Sequence, residues 1–146
     1  MRIILDTNEY IFGLDREAEE IAPGRVLDVI RILIEESEDF RLLLPEIIRK
    51  EVQRNIPGNL EGDFYRLIYS SEKIEHYAMS DVPGKLFEKY WDKKGLKEGD
   101  ALIAAFAEFV KTDYLVSENR HIYRDLDIRE FIAVNAQGFL EVLKEG

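Results

Sequence analysis

The sequence contains no cysteine and only two histidines, His76 and His121, among its 146 residues. The lack of cysteine excludes disulfides and thiolate zinc ligands, and two histidines do not make an all-protein zinc cage. Oxygen ligands are plentiful, because 30 Asp and Glu against 20 Lys and Arg give a formal net charge of −10. Any metal site is therefore expected to hold a hard cation such as Mg²⁺ or Mn²⁺.

Long apolar runs and an excess of basic residues are also lacking. No apolar run approaches the roughly 18 residues of a membrane span, and the run after Met1 is too short for a signal peptide. We therefore expect a cytoplasmic protein without membrane contact. Because broad phosphate-tracking surfaces are basic, any contact with nucleic acid is expected to be local. The length predicts one domain, residues 1–146, whose core needs no disulfide or structural metal.

Short apolar runs alternate with stretches of helical periodicity along the chain. Strands are predicted at residues 2–5, 41–45, within 73–79, at 113–117 and near 130–134. Helices are predicted at residues 25–37, 45–55, 60–72, 83–95, 100–111 and 135–144, two of them beginning with Pro. This alternation predicts a doubly wound α/β domain, with a mainly parallel sheet and helices on both faces.

The first strand, in "RIILDTNEYIF", ends abruptly on the carboxylate of Asp6. Asp can begin a turn or cap a helix, which is one explanation of that break. A ligand site is the other, because the carboxyl ends of parallel strands share the sheet edge where ligands bind. The position of Asp6 leaves both explanations open.

Glu51 lies on the packed side of a predicted helix. With about 100° per residue, Glu51 falls between Ile47 and Ile48, inside the apolar stripe. Burying a carboxylate is costly unless it is paired, and its side chain leans towards the helix amino end, hence towards the edge that carries Asp6. A structural salt bridge at the rim of the core is the alternative.

Two later segments bring further oxygen ligands to the same edge. Asp100 opens the predicted helix in "GDALIAAFAEF", where capping is the simpler explanation. In "LVSENRHI" a strand ends at Ser117, and Glu118 and Asn119 follow in what is otherwise a polar loop. Together with Asp6 and Glu51 these residues outline an acidic pocket.

The segments "ILDTNEYIF", "EIIRKEV", "GDALIAAFAE" and "DYLVSENRHI" resemble, in order and spacing, the four motifs of PIN-domain proteins, including VapC-like toxin ribonucleases. The resemblance spans roughly residues 2–143. It implies that Asp6, Glu51 and Asp100 are acidic residues of a metal site that is catalytic. The last acidic position of the family falls on Asn119 in this chain.

Asn119 departs from the fully acidic pattern. An amide oxygen can still ligate Mg²⁺, although it adds no negative charge. Glu118 is a weaker substitute, because neighbours on an extended chain point in opposite directions. Three carboxylates suffice for one hydrated Mg²⁺ or Mn²⁺.

The resemblance implies a metal-dependent endoribonuclease, with RNA as substrate, an antitoxin protein as partner and a homodimer as assembly. We expect Thr7, Asn8 and Ser117 to orient the carboxylates. Arg120, which follows Asn119, is the best candidate for holding the substrate; His121 and the exposed helix residues Arg49, Lys50 and Arg54 are further candidates, with a solvated face as the alternative.

Two other functions fit the same residues. One is a housekeeping RNA-processing nuclease. The other is a PIN-like module that binds RNA or protein after the change at Asn119 has impaired catalysis. No Gly-rich phosphate-binding or dinucleotide-binding motif is present.

Overall fold

The structure, a computed structural model, describes residues 1–15 and 21–145. Its five strands all pair in parallel, in the order β3-β2-β1-β4-β5. The strands are Arg2–Leu5 (β1), Arg41–Pro45 (β2), Ile74–Tyr77 (β3), Tyr114–Val116 (β4) and Ile132–Val134 (β5). Because β1 is central, its carboxyl end lies in the middle of the edge where parallel α/β proteins bind ligands.

Six of the eight helices in the described ranges form two groups by contact. The eight are Thr7–Gly13 (α1), Ala22–Glu36 (α2), Glu46–Asn55 (α3), Gly58–Ile68 (α4), Gly84–Glu88 (α5), Glu98–Phe109 (α6), Arg120–Tyr123 (α7) and Ala136–Glu145 (α8). A 3₁₀ turn spans Met79–Asp81, and a π-helical turn spans Lys89–Lys93. Helix α1 contacts α2 and α3, and α2 contacts α8, while α5, α6 and the π-helical turn contact one another.

These two groups cover both faces of the sheet, so the predicted doubly wound α/β fold is confirmed. None of the helices in the described ranges is long and apolar enough to cross a membrane.

The core lies on both sides of the central strands. Ile3, Ile4 and Leu5 of β1 are completely buried, as expected for a parallel strand covered by helices on each face. Aromatic pairs extend this packing outwards: Tyr10 of α1 meets Phe64 of α4 edge-on, at 5.4 Å between ring centroids. The buried β1 strand thereby holds the chain rigidly up to Asp6.

Several boundaries differ from those that the sequence predicts. Helix α2 begins at Ala22 rather than at residue 25, because Pro23 fits the first turn of a helix. Pro45 ends β2 and precedes α3, whereas the sequence placed it within the first helical turn. Asp100 is the third residue of α6, which begins at Glu98, so it does not cap that helix.

Two short helices were not predicted at all. Asp6 caps α1, and Asn119 caps α7, each with a side-chain oxygen that accepts a backbone N–H. Both helices begin directly after a strand and are too short for an apolar periodicity to stand out. The predicted helix over residues 83–95 is divided, because its second half is the π-helical turn.

We expect Ile4→Ala to lower the free energy of unfolding by about 2–5 kcal/mol, since it leaves a cavity at a fully buried position. Urea denaturation followed by circular dichroism measures this loss. Ile32→Ala is the matched control, because Ile32 is 52% exposed and its loss should cost no more than about 0.5 kcal/mol. Equal losses at the two positions would contradict this description of the core.

Candidate metal and active site

Asp6 lies between the carboxyl ends of β1 and β4. Its backbone N–H donates to the carbonyl of Val116 at 2.9 Å. Its carboxylate accepts from the Thr7 N–H at 2.8 Å through Oδ1 and from the Ser117 hydroxyl at 2.7 Å through Oδ2. The strand ends before Asp6, and the carboxylate of Asp6 both caps α1 and lies at the sheet edge.

A continuous series of hydrogen bonds links Asp6 to Asp100 on α6. The Ser117 hydroxyl that donates to Asp6 accepts from the Asn119 N–H at 3.1 Å. The Asn119 Nδ2 group donates to Oδ2 of Asp100 at 2.9 Å. The Oδ1 atom of Asn119 accepts from the His121 N–H at 3.0 Å. Both ends of the Asn119 amide are thus engaged, and the residue orients Asp100.

The four residues expected at the metal site line one cavity of about 300 Å³. The cavity is lined by Asp6, Thr7, Asn8, Glu51, Gly99, Asp100, Ile103, Glu118 and Asn119. No Lys or Arg is among these lining residues. Ser117 is completely buried behind the cavity, and Arg120 is exposed and is not part of its lining.

Burial, hydrogen bonds and two neighbouring carboxylates all act on the pKa of Asp6. Burial raises the pKa of Asp6, while the hydrogen bonds from Ser117 and Thr7 lower it. The negative charges of Glu51 and Asp100 raise that pKa further, because like charges disfavour ionisation. A cation in the cavity would relieve this repulsion.

Glu51 enters the cavity from α3 and is half-buried. Within the described residues it takes part in no ion pair, and its carboxylate accepts no hydrogen bond. Glu51 therefore has no basic partner there for a structural salt bridge at the rim of the core, which was the alternative explanation. Glu51 is left as a carboxylate available to a ligand.

Glu118 lines the cavity beside Asn119. The two side chains have different partners, because the Asn119 amide bonds Asp100 and the His121 N–H. Oε2 of Glu118 accepts from the Ala136 N–H at 3.1 Å, so Glu118 also anchors the start of α8.

Glu9 is an acidic residue near the site that sequence reasoning did not single out. It is completely buried on α1, and within the described residues neither carboxylate oxygen has a conventional hydrogen-bond donor. Burial, with the adjacent Glu118 carboxylate and then Asp6, raises the pKa of Glu9 to about 9. This raised pKa favours the neutral form of Glu9 at pH 7. Its spacing of three residues from Asp6 on a short helix is the signal that could have found it.

The raised pKa of Glu9 makes stability depend on pH. The folded protein keeps a proton that the unfolded chain, with an ordinary pKa of 4.5, releases between pH 4.5 and 9. The contribution to stability is therefore complete below pH 4.5 and is lost as the pH rises towards 9, by at most about 1.4 kcal/mol per pH unit. We expect Glu9→Gln, which cannot ionise, to flatten this decline, as measured by thermal unfolding between pH 5 and 9.

The exposed Glu61→Gln is the control and should leave the decline unchanged. A stability difference between Glu9→Gln and wild type that does not grow with pH would contradict a protonated Glu9.

No protein-family model and no curated protein sequence matches the chain. Its fold, in contrast, is found in solved structures. VapBC2 from Rickettsia felis, bound to a DNA fragment from its promoter, is similar with a TM-score of 0.64 and 19% identity over 92% of this chain and 98% of that one.

Two further structures show the same likeness. FitAcB from Neisseria gonorrhoeae has a TM-score of 0.59 and 17% identity over 91% of this chain and 96% of its own. VapC20 from Mycobacterium tuberculosis, a toxin that cleaves the sarcin-ricin loop, has a TM-score of 0.52 and 13% identity over 77% and 86%. The resemblance expected from the four motifs is confirmed in the fold: the chain has the PIN-like α/β architecture of VapC-type proteins.

Proposed function

We propose that the chain is a metal-dependent endoribonuclease, which uses Mg²⁺ or Mn²⁺ to hydrolyse phosphodiester bonds of RNA. The observation that carries this proposal is the cavity where Asp6, Glu51 and Asp100 face one another without a lining Lys or Arg. The likeness in fold to VapC20, a toxin that cleaves the sarcin-ricin loop, supports it.

The donor set of the cavity suits a hydrated ion. No group of three or more Asp, Glu, His or Cys side chains among the described residues has the geometry of a direct metal site. Mg²⁺ does not need one, because it keeps several waters and binds through one or two carboxylates. Oxygen ligands and a cavity of about 300 Å³ meet that requirement. Asp6 and Asp100 would hold the ion, directly or through water, and the other residues would surround its waters.

The chain's own residues divide the remaining work. Glu51 accepts a proton from the attacking water, because its carboxylate has no hydrogen-bond donor among the described residues. Ser117 and Thr7 keep Asp6 in one orientation, and Asn119 does the same for Asp100. Asn8 lies in the wall of the cavity, where its amide can bond a phosphate oxygen. The bound ion supplies neutralisation of the phosphate charge and activation of water.

We further propose that the protein is the toxin of a toxin–antitoxin pair and works as a homodimer. The likeness to VapBC2 and FitAcB supports an antitoxin as partner. The net charge of −10 favours a basic inhibitory segment, which could cover the acidic cavity.

RNA cleavage should require Mg²⁺ or Mn²⁺ and stop in EDTA. We expect Asp6→Asn, Asp100→Asn and Glu51→Gln each to reduce the cleavage rate at least about 100-fold, since each removes a ligand or the base. A mixed pool of single-stranded and structured RNAs, resolved on a denaturing gel, measures this. Glu46→Gln is the matched control, because Glu46 lies on the same helix as Glu51 but pairs with Lys50 outside the cavity.

Folded wild type that binds RNA without cutting it, and binds equally well without the three carboxylates, would instead identify a binding module. Cleavage that persists in EDTA would contradict the metal dependence.

Ser117→Ala should weaken Mn²⁺ binding and cleavage about 10- to 100-fold while the protein stays folded, since Asp6 loses the hydroxyl that orients it. Isothermal titration with Mn²⁺ and the gel assay measure the two effects. Ser70→Ala, which removes a hydroxyl bonded to the Leu67 carbonyl on α4, is the control and should change neither. Unaltered metal binding in Ser117→Ala would show that Asp6 does not depend on this hydrogen bond.

A further inference from the structure

A second cavity, of about 350 Å³, adjoins the acidic cavity at Asp100, which lines both. It is lined by Lys93, Lys94, Gly95, Leu96, Lys97, Asp100, His121, Asp125, Leu126 and Asp127. Three of these residues are lysines, whereas the acidic cavity has none. Three aspartates line it as well, so the charges of its lining balance, whereas the acidic cavity is lined by carboxylates and no cation.

The lysines are carried by a turn that is fixed at both ends. Tyr90 of the π-helical turn is completely buried, and its carbonyl accepts from the Leu96 N–H at 3.1 Å. Gly95 has a φ of +71°, a conformation that favours glycine and lets the chain reverse between the lysines. On the far side, the Lys94 ammonium donates to the Asp127 carbonyl at 2.8 Å. The turn is therefore held in place before any ligand arrives.

Lys93 and Lys97 are the cations left available in this cavity. Both are exposed, and neither ammonium group pairs with any residue that the structure describes. Three carboxylates also face the cavity, and two of them have partners: Asp100 is bonded to Asn119, and Asp125 lies 3.6 Å from His121. The carboxylate of Asp127 is the third.

Building on the proposed function, we propose that Lys93 and Lys97 bind a backbone phosphate of the RNA strand next to the phosphate held at the acidic cavity. A single strand that passes Asp100 places one phosphate in each cavity. The lysines supply the local contact that the acidic surface lacks elsewhere, and such phosphate contacts dominate affinity for single strands.

The test combines RNA binding with hydrolysis of a small phosphodiester. We expect Lys93→Gln/Lys97→Gln to bind a labelled mixed-sequence single-stranded RNA about five- to tenfold more weakly in EDTA, with a shallower salt dependence, as measured by fluorescence anisotropy. Hydrolysis of bis(p-nitrophenyl) phosphate with Mn²⁺, which needs only the acidic cavity, should be unchanged. With RNA as substrate, KM should rise while kcat stays near that of wild type.

Lys111→Gln/Lys144→Gln is the matched control. It removes the same charge from two exposed lysines at the C-terminal ends of α6 and α8, away from the cavity, and should bind RNA like wild type. If RNA affinity falls equally in the two double variants, the loss is a general effect of charge and the proposed subsite is wrong. Unchanged RNA affinity in Lys93→Gln/Lys97→Gln, or preference of the wild type for a polyglutamate peptide over RNA, would also overturn it.

The two proposals fail in different ways. If wild type does not hydrolyse the small diester but its RNA binding still depends on Lys93 and Lys97, the nuclease proposal fails and the phosphate subsite stands. If the diester is hydrolysed while RNA affinity is unchanged by the loss of both lysines, the subsite proposal fails and the nuclease proposal stands.

Discussion

The hydrogen bond from Ser117 to Asp6 joins the carboxyl ends of β4 and β1, and the candidate site is assembled around it. The same hydroxyl accepts from the Asn119 N–H, and the Asn119 amide donates in turn to Asp100 on α6. Three elements that are far apart in sequence are thereby fixed relative to one another at one sheet edge. The buried strand β1 makes this arrangement rigid, because Ile3, Ile4 and Leu5 leave Asp6 no freedom to move away.

Carboxylates concentrated at one sheet edge repel one another, which lowers stability, and the structure reduces this repulsion in several ways. Asp6 is stabilised in its charged form by two hydrogen bonds, although burial and its neighbours raise its pKa. Burial and the adjacent Glu118 raise the pKa of Glu9, which favours its neutral form. The carboxylate of Glu51 has no hydrogen-bond or ion-pair partner among the described residues, so no such contact at this carboxylate stabilises the fold. Such an arrangement is typical of functional sites, where stability is given up for chemistry.

The two cavities that meet at Asp100 differ in their cations, because the acidic one has no lining Lys or Arg and the other has three lysines beside three aspartates. The acidic one is built from strand ends and helix starts, which the doubly wound topology brings together in any protein of this architecture. The lysine-lined cavity is built from an irregular turn with a π-helical segment and a left-handed glycine, and π-helical segments are frequent at functional sites. The strand ends and helix starts thus position the carboxylates, while the connection between α5 and α6 supplies the lysines beside them.

Sequence by itself determined the alternation of strands and helices, the place of Asp6 at a strand end and the inward side of Glu51, because these follow from periodicity within a few residues. It placed Asp100 and Asn119 at the same edge for the same reason. Tertiary structure alone decided that Asn119 serves Asp100 through its amide, that Glu9 meets Glu118, and that Lys93 and Lys97 face a cavity shared with Asp100. Those relations join residues of separate elements, and their distances are set by how helices pack on the sheet, which no local pattern encodes.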